Sequence, residues 1–123
     1  MEDIYYAIKS RAYEIAQYSV EKQYKIQSVW SEYGSSGYMR ALEDSRYHIS
    51  TIASSYALAS PGMLMEYFSW LEVLFERLKL PDNSAKDSLL FAAQAIDTVL
   101  QLDNAIDRKS PRLNSSNGKL SRM

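Results

Sequence analysis

Apolar residues recur along most of the chain at intervals of three and four, the spacing that places side chains on one side of an α-helix. The clearest run of this kind predicts a helix over residues 37–59. No segment alternates apolar and polar residues as a half-buried β-strand does, so the pattern predicts an all-α fold. The seam of the predicted 37–59 helix consists of Tyr38, Leu42, Ser45, Ile49, Ile52, Tyr56 and Ala59.

The N-terminal third of the chain carries weaker helical signals. One helix of modest amphipathicity is predicted over about residues 3–23, and a short helical piece over about residues 25–33. The Gly-Ser-Ser-Gly run at residues 34–37 is typical of a helix end followed by a turn, so we expect the short piece to stop there. The apolar line of the first helix consists of Tyr5, Ile8, Ala12, Ile15 and Ser19.

The second half of the chain predicts two further helices. Ser60 is an N-cap candidate and Pro61 follows at the first helical position, so a fourth helix begins there and ends near Pro81. A fifth helix is predicted from about residue 84 to about residue 106. Together the five segments predict an antiparallel bundle of four to five helices. The broad apolar face of the fourth helix consists of Leu64, Tyr67, Phe68, Leu71, Leu74, Phe75 and Leu78.

Charge divides the chain into two parts. Residues 1–107 form the predicted bundle domain and hold nine basic and fifteen acidic side chains, whereas residues 108–123 hold five basic and no acidic ones. This last stretch lacks periodicity and is rich in polar residues, which predicts a disordered tail. It is either a solvated terminus or a basic arm for an acidic partner or nucleic acid. The acidic body itself is a poor electrostatic match for a phosphate backbone.

Two features bear on the compartment. No apolar run is long enough to span a bilayer, and the first residues, Met1, Glu2 and Asp3, are acidic where a signal peptide would be basic. We therefore expect a cytoplasmic protein without a membrane partner.

Residues that carry enzymatic chemistry are scarce. The chain has no Cys and a single His, His48, which excludes thiol chemistry and a structural zinc site. No Gly-rich phosphate loop occurs, and no nucleophile stands in a recognisable pattern with a base. Glu72 and Glu76 share a helix face, which fits a solvated acidic surface better than a di-metal centre without its Glu-x-x-His partner. We therefore expect a protein that is not an enzyme and has no metal site.

Imidazole and aromatic side chains are the remaining candidates for a site. His48 lies on the flank of the 37–59 seam and is either a histidine that hydrogen-bonds inside the protein or an axial ligand to a tetrapyrrole. The ten tyrosines are core-edge residues where they fall on seams, and the others fit an aromatic pocket or a subunit interface. Trp70 lies off the main apolar face of the fourth helix, as a core-edge residue or as one that stacks on a ligand or partner.

Three blocks between residues 21 and 100 carry a likeness to a known family. The first is Tyr33 and Gly34 with Gly37, and the second is the run of residues 42–49, Leu-Glu-Asp-Ser-Arg-Tyr-His-Ile. The third runs from a proline through a large apolar pair, a tyrosine, a tryptophan three residues later and a second apolar pair to a closing proline. Its positions are Pro61, Met63, Leu64, Tyr67, Trp70, Leu74, Phe75 and Pro81.

In order and spacing these blocks resemble the helical-bundle domain that precedes the cobalamin-binding Rossmann domain in B12-dependent photoreceptors, transcription regulators and methyltransferase modules. The resemblance implies a four- to five-helix bundle whose face covers the upper side of a corrinoid, with cobalamin or another tetrapyrrole as ligand. The Asp-x-His-x-x-Gly motif that supplies the lower axial histidine in that family does not occur here. The expectation is therefore a stand-alone bundle that has changed or lost the ligand. The ligand-binding residues that the resemblance implies are Tyr47, His48, Met63, Tyr67 and Trp70.

These observations give a functional hypothesis and an alternative. The hypothesis is a non-catalytic regulatory or sensory helical bundle that acts through a small apolar or tetrapyrrole-like ligand or through a protein partner. The alternative is a globin-like sensor that binds haem or a fatty acid. The number of aromatic side chains also predicts a homodimer formed through the third or fourth helix.

Overall fold

The computed structural model describes residues 3–108, and this part of the chain is an all-α bundle, as predicted. Five α-helices and one short 3-10 helix follow one another, and we find no strand among these residues. Short connections join the last three helices, which makes consecutive helices antiparallel neighbours. The predicted tail lies outside the described residues from position 109 onward. The helices are α1 (Ile4–Ser10), α2 (Ala12–Ile26), the 3-10 helix η1 (Ser28–Tyr33), α3 (Gly34–Ala57), α4 (Pro61–Arg77) and α5 (Ser84–Arg108).

The first predicted helix is two helices, so the prediction of one continuous helix over residues 3–23 is wrong. Arg11 interrupts it with φ −119° and ψ 22°, and its N–H donates to the carbonyl oxygen of Ile8 at 3.2 Å, a 3-10 type bond that closes α1. Ile8 and Ile15 are nevertheless both buried in one cluster. Apolar periodicity missed the break because it persists across two helices that pack on the same core.

The predicted stop of the short helical piece is confirmed, because η1 ends at Tyr33, but the glycines at residues 34 and 37 form no separate turn and instead begin α3. Gly34 has φ +72°, a left-handed conformation that favours glycine and lets the chain pass from η1 directly into α3. Gly37 lies one turn later against Tyr33, where an added Cβ would collide with the Tyr33 side chain. Both glycines therefore serve the close join between the two helices rather than a reversal.

The fourth helix begins at Pro61 after Ser60 in the N-cap position, as predicted. The Ser60 hydroxyl makes no cap hydrogen bond. Instead, the Ser60 carbonyl oxygen accepts a 2.7 Å hydrogen bond from Oγ of Ser55, which fastens the turn between α3 and α4. Leu71 and Phe75 are the buried residues of the predicted apolar face.

Helix α3 is the central element, because α1, α2, η1, α4 and α5 all pack against it. The larger of two buried clusters joins α1, α2, α3 and α5, and the smaller joins α4 to α5. The larger cluster is made of aliphatic residues and alanines, whereas the smaller one includes a phenylalanine. The larger cluster contains Ile8, Ile15, Ala16, Ile49, Ala53, Ala92, Ala95 and Val99, and the smaller one Leu71, Phe75 and Ala85.

One seam residue of α3 does not reach the core. Tyr56 is 64% exposed, although its position suggested a core edge. A regular α-helix turns away from a strict seven-residue repeat by about 20° per heptad. Two heptads beyond Leu42 the seam has therefore rotated toward solvent, and Ala53 is the buried residue in this part of the helix.

Within residues 3–108, none of the helices combines the length and the apolar character needed to cross a bilayer.

Candidate ligand cavity

A cavity of about 150 Å³ lies beside the N-terminal half of α3. Its walls come from α2, η1, α3, the last turn of α4 with the loop that follows, and the first turns of α5. Apolar atoms form most of its surface, so a molecule inside it would make mainly van der Waals contacts. The lining residues are Ser19, Val20, Gln23, Tyr24, Trp30, Tyr33, Gly37, Arg40, Ala41, Asp44, Ser45, His48, Phe75, Leu78, Leu80 and Ser88.

Two of the lining side chains carry buried hydroxyl groups without a hydrogen-bond partner among the described residues. They are Tyr24, through Oη, and Ser45, through Oγ. Ser45 is 4% exposed, and burial raises the pKa of the Tyr24 hydroxyl, with a smaller contribution from nearby Tyr38. Buried polar groups in native proteins nearly always have partners, so two in one cavity wall are exceptional.

A hydrogen-bonded hub fixes the aromatic wall that η1 contributes. The side-chain oxygen Oε1 of Gln27 accepts from Trp30 Nε1 at 3.0 Å and from Gln23 Nε2 at 3.1 Å. The amide nitrogen Nε2 of the same Gln27 donates to Asp87 Oδ2 at 3.0 Å. These bonds tie η1 to α2 and to the first turn of α5, and thereby hold the Trp30 ring at the cavity.

The two charged residues in the lining face each other. Nε of Arg40 lies 3.5 Å from Oδ1 of Asp44, one turn apart on α3. Burial raises the pKa of the Asp44 carboxyl, and the Arg40 guanidinium opposes that rise. Because the pair compensates internally, the cavity wall has little net charge.

His48 connects the cavity to α4. Its Nδ1 lies 2.8 Å from the hydroxyl oxygen of Tyr67, and the side chain is 2% exposed. Burial lowers the pKa of His48 to about 4, so the imidazole is neutral at pH 7. Burial also raises the pKa of Tyr67 to about 12, with smaller contributions from Asp44 and Tyr47. The pair is therefore a neutral hydrogen bond between two helices.

The tautomer of His48 decides whether its second ring nitrogen, Nε2, can donate or accept a hydrogen bond. If the Tyr67 hydroxyl donates to Nδ1, the second ring nitrogen, Nε2, carries the proton and is a donor. If Nδ1 donates to Tyr67, Nε2 is an acceptor. In either case Nε2 is the polar atom of the ring that Tyr67 does not engage.

Of the five residues predicted to bind a ligand, the structure brings three together. His48 contacts Tyr67, and the Tyr67 ring lies 5.8 Å from the Trp70 ring. Trp70 is 57% and Tyr47 65% exposed, and Met63 is half-buried near the start of α4. Only His48 lines the cavity, so the other four lie outside its wall.

Sequence reasoning missed most of the cavity wall, including Tyr24, Trp30 and Asp44. One signal was present, because Ser45 occupies a seam position that normally holds an apolar residue. Ser19 does the same on the line of the first helix, and it also lines the cavity. A serine at a core position of each of two facing helices marks a place where the packing is not purely apolar.

Comparison with known proteins gives no family for the chain, since no family model, curated protein or solved structure matches it. Among the side chains that the structure describes, those of residues 3–101, no group of three His, Asp or Glu is placed to hold a metal ion. The cavity and its polar groups are therefore the basis for a functional proposal.

Proposed function

We propose that the protein is a non-catalytic regulatory or sensory helical bundle that binds a small, largely apolar molecule in the cavity beside α3. One observation carries the proposal. The wall of a mostly apolar cavity includes Tyr24 and Ser45, and the buried hydroxyl groups of both lack a hydrogen-bond partner among the described residues. A core selected only for stability would fill such a space and pair such groups.

The volume limits what the cavity can hold. An apolar cavity of about 150 Å³ accommodates a molecule of the size of benzene, whereas pockets for larger ligands measure about 300–1,000 Å³. A corrinoid or haem ring is larger than this space and does not fit inside it. The cavity therefore supports a ligand with a single ring or a short chain.

The position of the cavity supports a sensory role. Its wall includes η1 and the loop between α4 and α5, which lie at the edge of the bundle, as well as the central helix α3. A ligand that contacts all of them stabilises their mutual arrangement, and this stabilisation increases with the concentration of the ligand. A partner that recognises this end of the bundle would then respond to the ligand.

Titration with toluene tests the binding directly. In a Trp70→Phe background, Trp30 is the single tryptophan and reports on the cavity through its emission. We expect a saturable change in Trp30 emission and a rise in the melting temperature. Ala41→Leu, which fills the cavity, should abolish both effects, and Ala93→Leu on the exposed face of α5 should leave both intact. Equal toluene responses in the two variants would contradict the proposal.

A second candidate concerns the outer surface, where Tyr47 and Trp70 are exposed and the Trp70 ring lies beside Tyr67. Exposed aromatic rings can stack on a macrocycle, which is the kind of ligand that the resemblance to the cobalamin family implies. A dark titration with adenosylcobalamin or haem should then give a saturable spectral change that Trp70→Ala weakens. Haem ligated by His48 is a separate alternative, because this side chain is buried and does not lie on the outer surface; His48→Ala should then remove the shift of the Soret band. Flat spectra would exclude this candidate.

We also propose that the protein is a cytoplasmic homodimer. Met65, Trp70 and Val73 on α4 are exposed apolar side chains, which supports an interface on that helix. Light scattering at high micromolar concentration should give twice the monomer mass of 14.1 kDa. A monomer mass would contradict the dimer.

A further inference from the structure

We infer that the ligand of the cavity is a neutral ring compound with one hydroxyl group, of the phenol class, recognised by the unpartnered hydroxyls of Tyr24 and Ser45. This inference rests on the proposed function, because it names the chemistry of the molecule that the cavity binds.

The need for a hydroxyl group follows from the two side chains. Tyr24 and Ser45 come from different helices, α2 and α3, and line the same cavity. Each hydroxyl has one proton to donate and lone pairs to accept with, and neither is used within the described residues. A ligand hydroxyl has both a proton to donate and lone pairs to accept with, so it can pair with either of them in either direction. A carbonyl or ether oxygen can only accept, and a methyl group can do neither.

The neutrality of the ligand follows from the charges in the wall. Asp44 and Arg40 already face each other at 3.5 Å, so neither offers an unpaired charge to a ligand ion. His48 is neutral and engaged with Tyr67 through Nδ1. An ionised ligand would lose its hydration in the cavity without gaining a counter-charge, which is strongly unfavourable.

The ring follows from shape and lining. The volume matches one six-membered ring with a substituent, and the rings of Tyr24, Trp30 and Phe75 line the space. Aromatic rings pack well against one another in offset or edge-to-face arrangements. A phenol therefore satisfies the size, the apolar lining and the two hydroxyl groups together.

Phenol and toluene provide the decisive comparison, because they have nearly the same shape and differ in a hydroxyl against a methyl group. We expect the unmodified protein to bind phenol at least tenfold more tightly than toluene, and to bind benzoate and benzylammonium more weakly than either. Calorimetry gives all four affinities without relying on a variant.

The variants assign the recognition to the two residues. Ser45→Ala and Tyr24→Phe should each reduce the preference for phenol over toluene several-fold while leaving toluene affinity within about twofold. Matched controls on the same helices are Ser36→Ala on α3 and Tyr13→Phe on α2, both exposed, which should not change the preference. Circular dichroism checks that each variant is folded.

The outcomes separate this inference from the proposed function. Equal affinities for phenol and toluene in the unmodified protein would overturn the inference and leave the apolar cavity as a binding site. A phenol preference that survives both variants would also overturn it, since the hydroxyl would then be recognised elsewhere. Binding of neither compound would overturn the proposed function itself. Tighter binding of benzylammonium or benzoate would show that the ligand is charged.

Discussion

The two halves of α3 differ although they belong to one continuous helix. In the C-terminal half, Ile49 and Ala53 are completely buried in the large cluster against α1, α2 and α5. In the N-terminal half, Gly37, Ala41 and Ser45 border the cavity instead. The C-terminal half is packed closely by its neighbours, whereas the N-terminal half meets polar side chains and a space that remains open.

The residue types facing each half explain this difference. Alanines on neighbouring helices, Ala16, Ala92 and Ala95, allow close approach in the C-terminal half and leave the aliphatic side chains well packed. Facing the N-terminal half are Ser19, Gln23 and Tyr24, whose polar atoms resist dry packing. Proteins commonly place binding regions in their less stable parts. The closely packed C-terminal half therefore contributes stability, and the N-terminal half keeps the space that the proposed ligand would occupy.

The largest effect is expected from shortening a buried side chain in the C-terminal half of α3. Ile49→Ala should lower the free energy of unfolding by about 4 kcal/mol, because a buried isoleucine loses three carbons and leaves a new void. Val20→Ala, in the cavity wall, should cost about 2 kcal/mol, since it loses fewer carbons and borders a space that already exists. Urea unfolding followed at 222 nm measures both. Equal costs would remove the distinction between the halves.

The next largest effect is expected from acid, which should lower the free energy of unfolding through His48. The pKa of His48 is about 4 in the folded protein against 6.5 in the unfolded chain. Between these values the unfolded state binds a proton that the folded state does not, so stability falls as the pH falls from 6.5 toward 4. The loss approaches about 3 kcal/mol at pH 4 and is absent above pH 7.

The control for this pH effect is His48→Gln, which keeps a polar group at the position and removes its titration. Asp44 acts in the opposite direction, because burial raises its pKa and the folded state then takes up a proton more readily than the unfolded state. Subtracting the free energy of unfolding of His48→Gln from that of the unmodified protein at each pH cancels the contributions of Asp44 and the other carboxylates. Parallel stability profiles between pH 6.5 and pH 4 would show that His48 is not buried as a neutral group.

The sequence was sufficient to predict the closely packed core around the C-terminal half of α3, and it was insufficient to predict the cavity. Ile15, Ile49 and the start of α4 at Pro61 followed from periodicity and from the chemistry of a helix start, because both are local properties. The cavity depends on how far α2 and η1 stand from α3, which no local pattern encodes. Trp30 lies at the cavity on η1, a 3-10 helix that Gly34 joins directly to α3, where the sequence indicated a turn.

A smaller effect is expected from loosening the wall of the cavity. Gln27→Ala removes the hub that holds Trp30 to α2 and α5, and should lower the free energy of unfolding by about 2 kcal/mol. In the Trp70→Phe background, the emission of Trp30 should shift to the red as its ring becomes more exposed. Gln17→Ala, exposed on α2, is the control and should change neither quantity. An unchanged emission would mean that the hub does not position η1.

The smallest expected effect has the opposite sign. Ser45→Ala removes a buried hydroxyl that has no partner within the described residues, so it should raise the free energy of unfolding by about 1 kcal/mol. Ser36→Ala, exposed on the same helix, should change it far less. Urea unfolding without ligand measures both variants.

The sign of this effect tests the contrast between the halves most directly. In a half built for stability, removing a polar group from a core position breaks a hydrogen bond and destabilises the protein. If Ser45→Ala stabilises the fold and also weakens phenol binding, the hydroxyl is retained at a cost in stability that only ligand recognition accounts for. If the same substitution destabilises the protein, Ser45 has a structural partner in solution, and the N-terminal half of α3 is core like the C-terminal half.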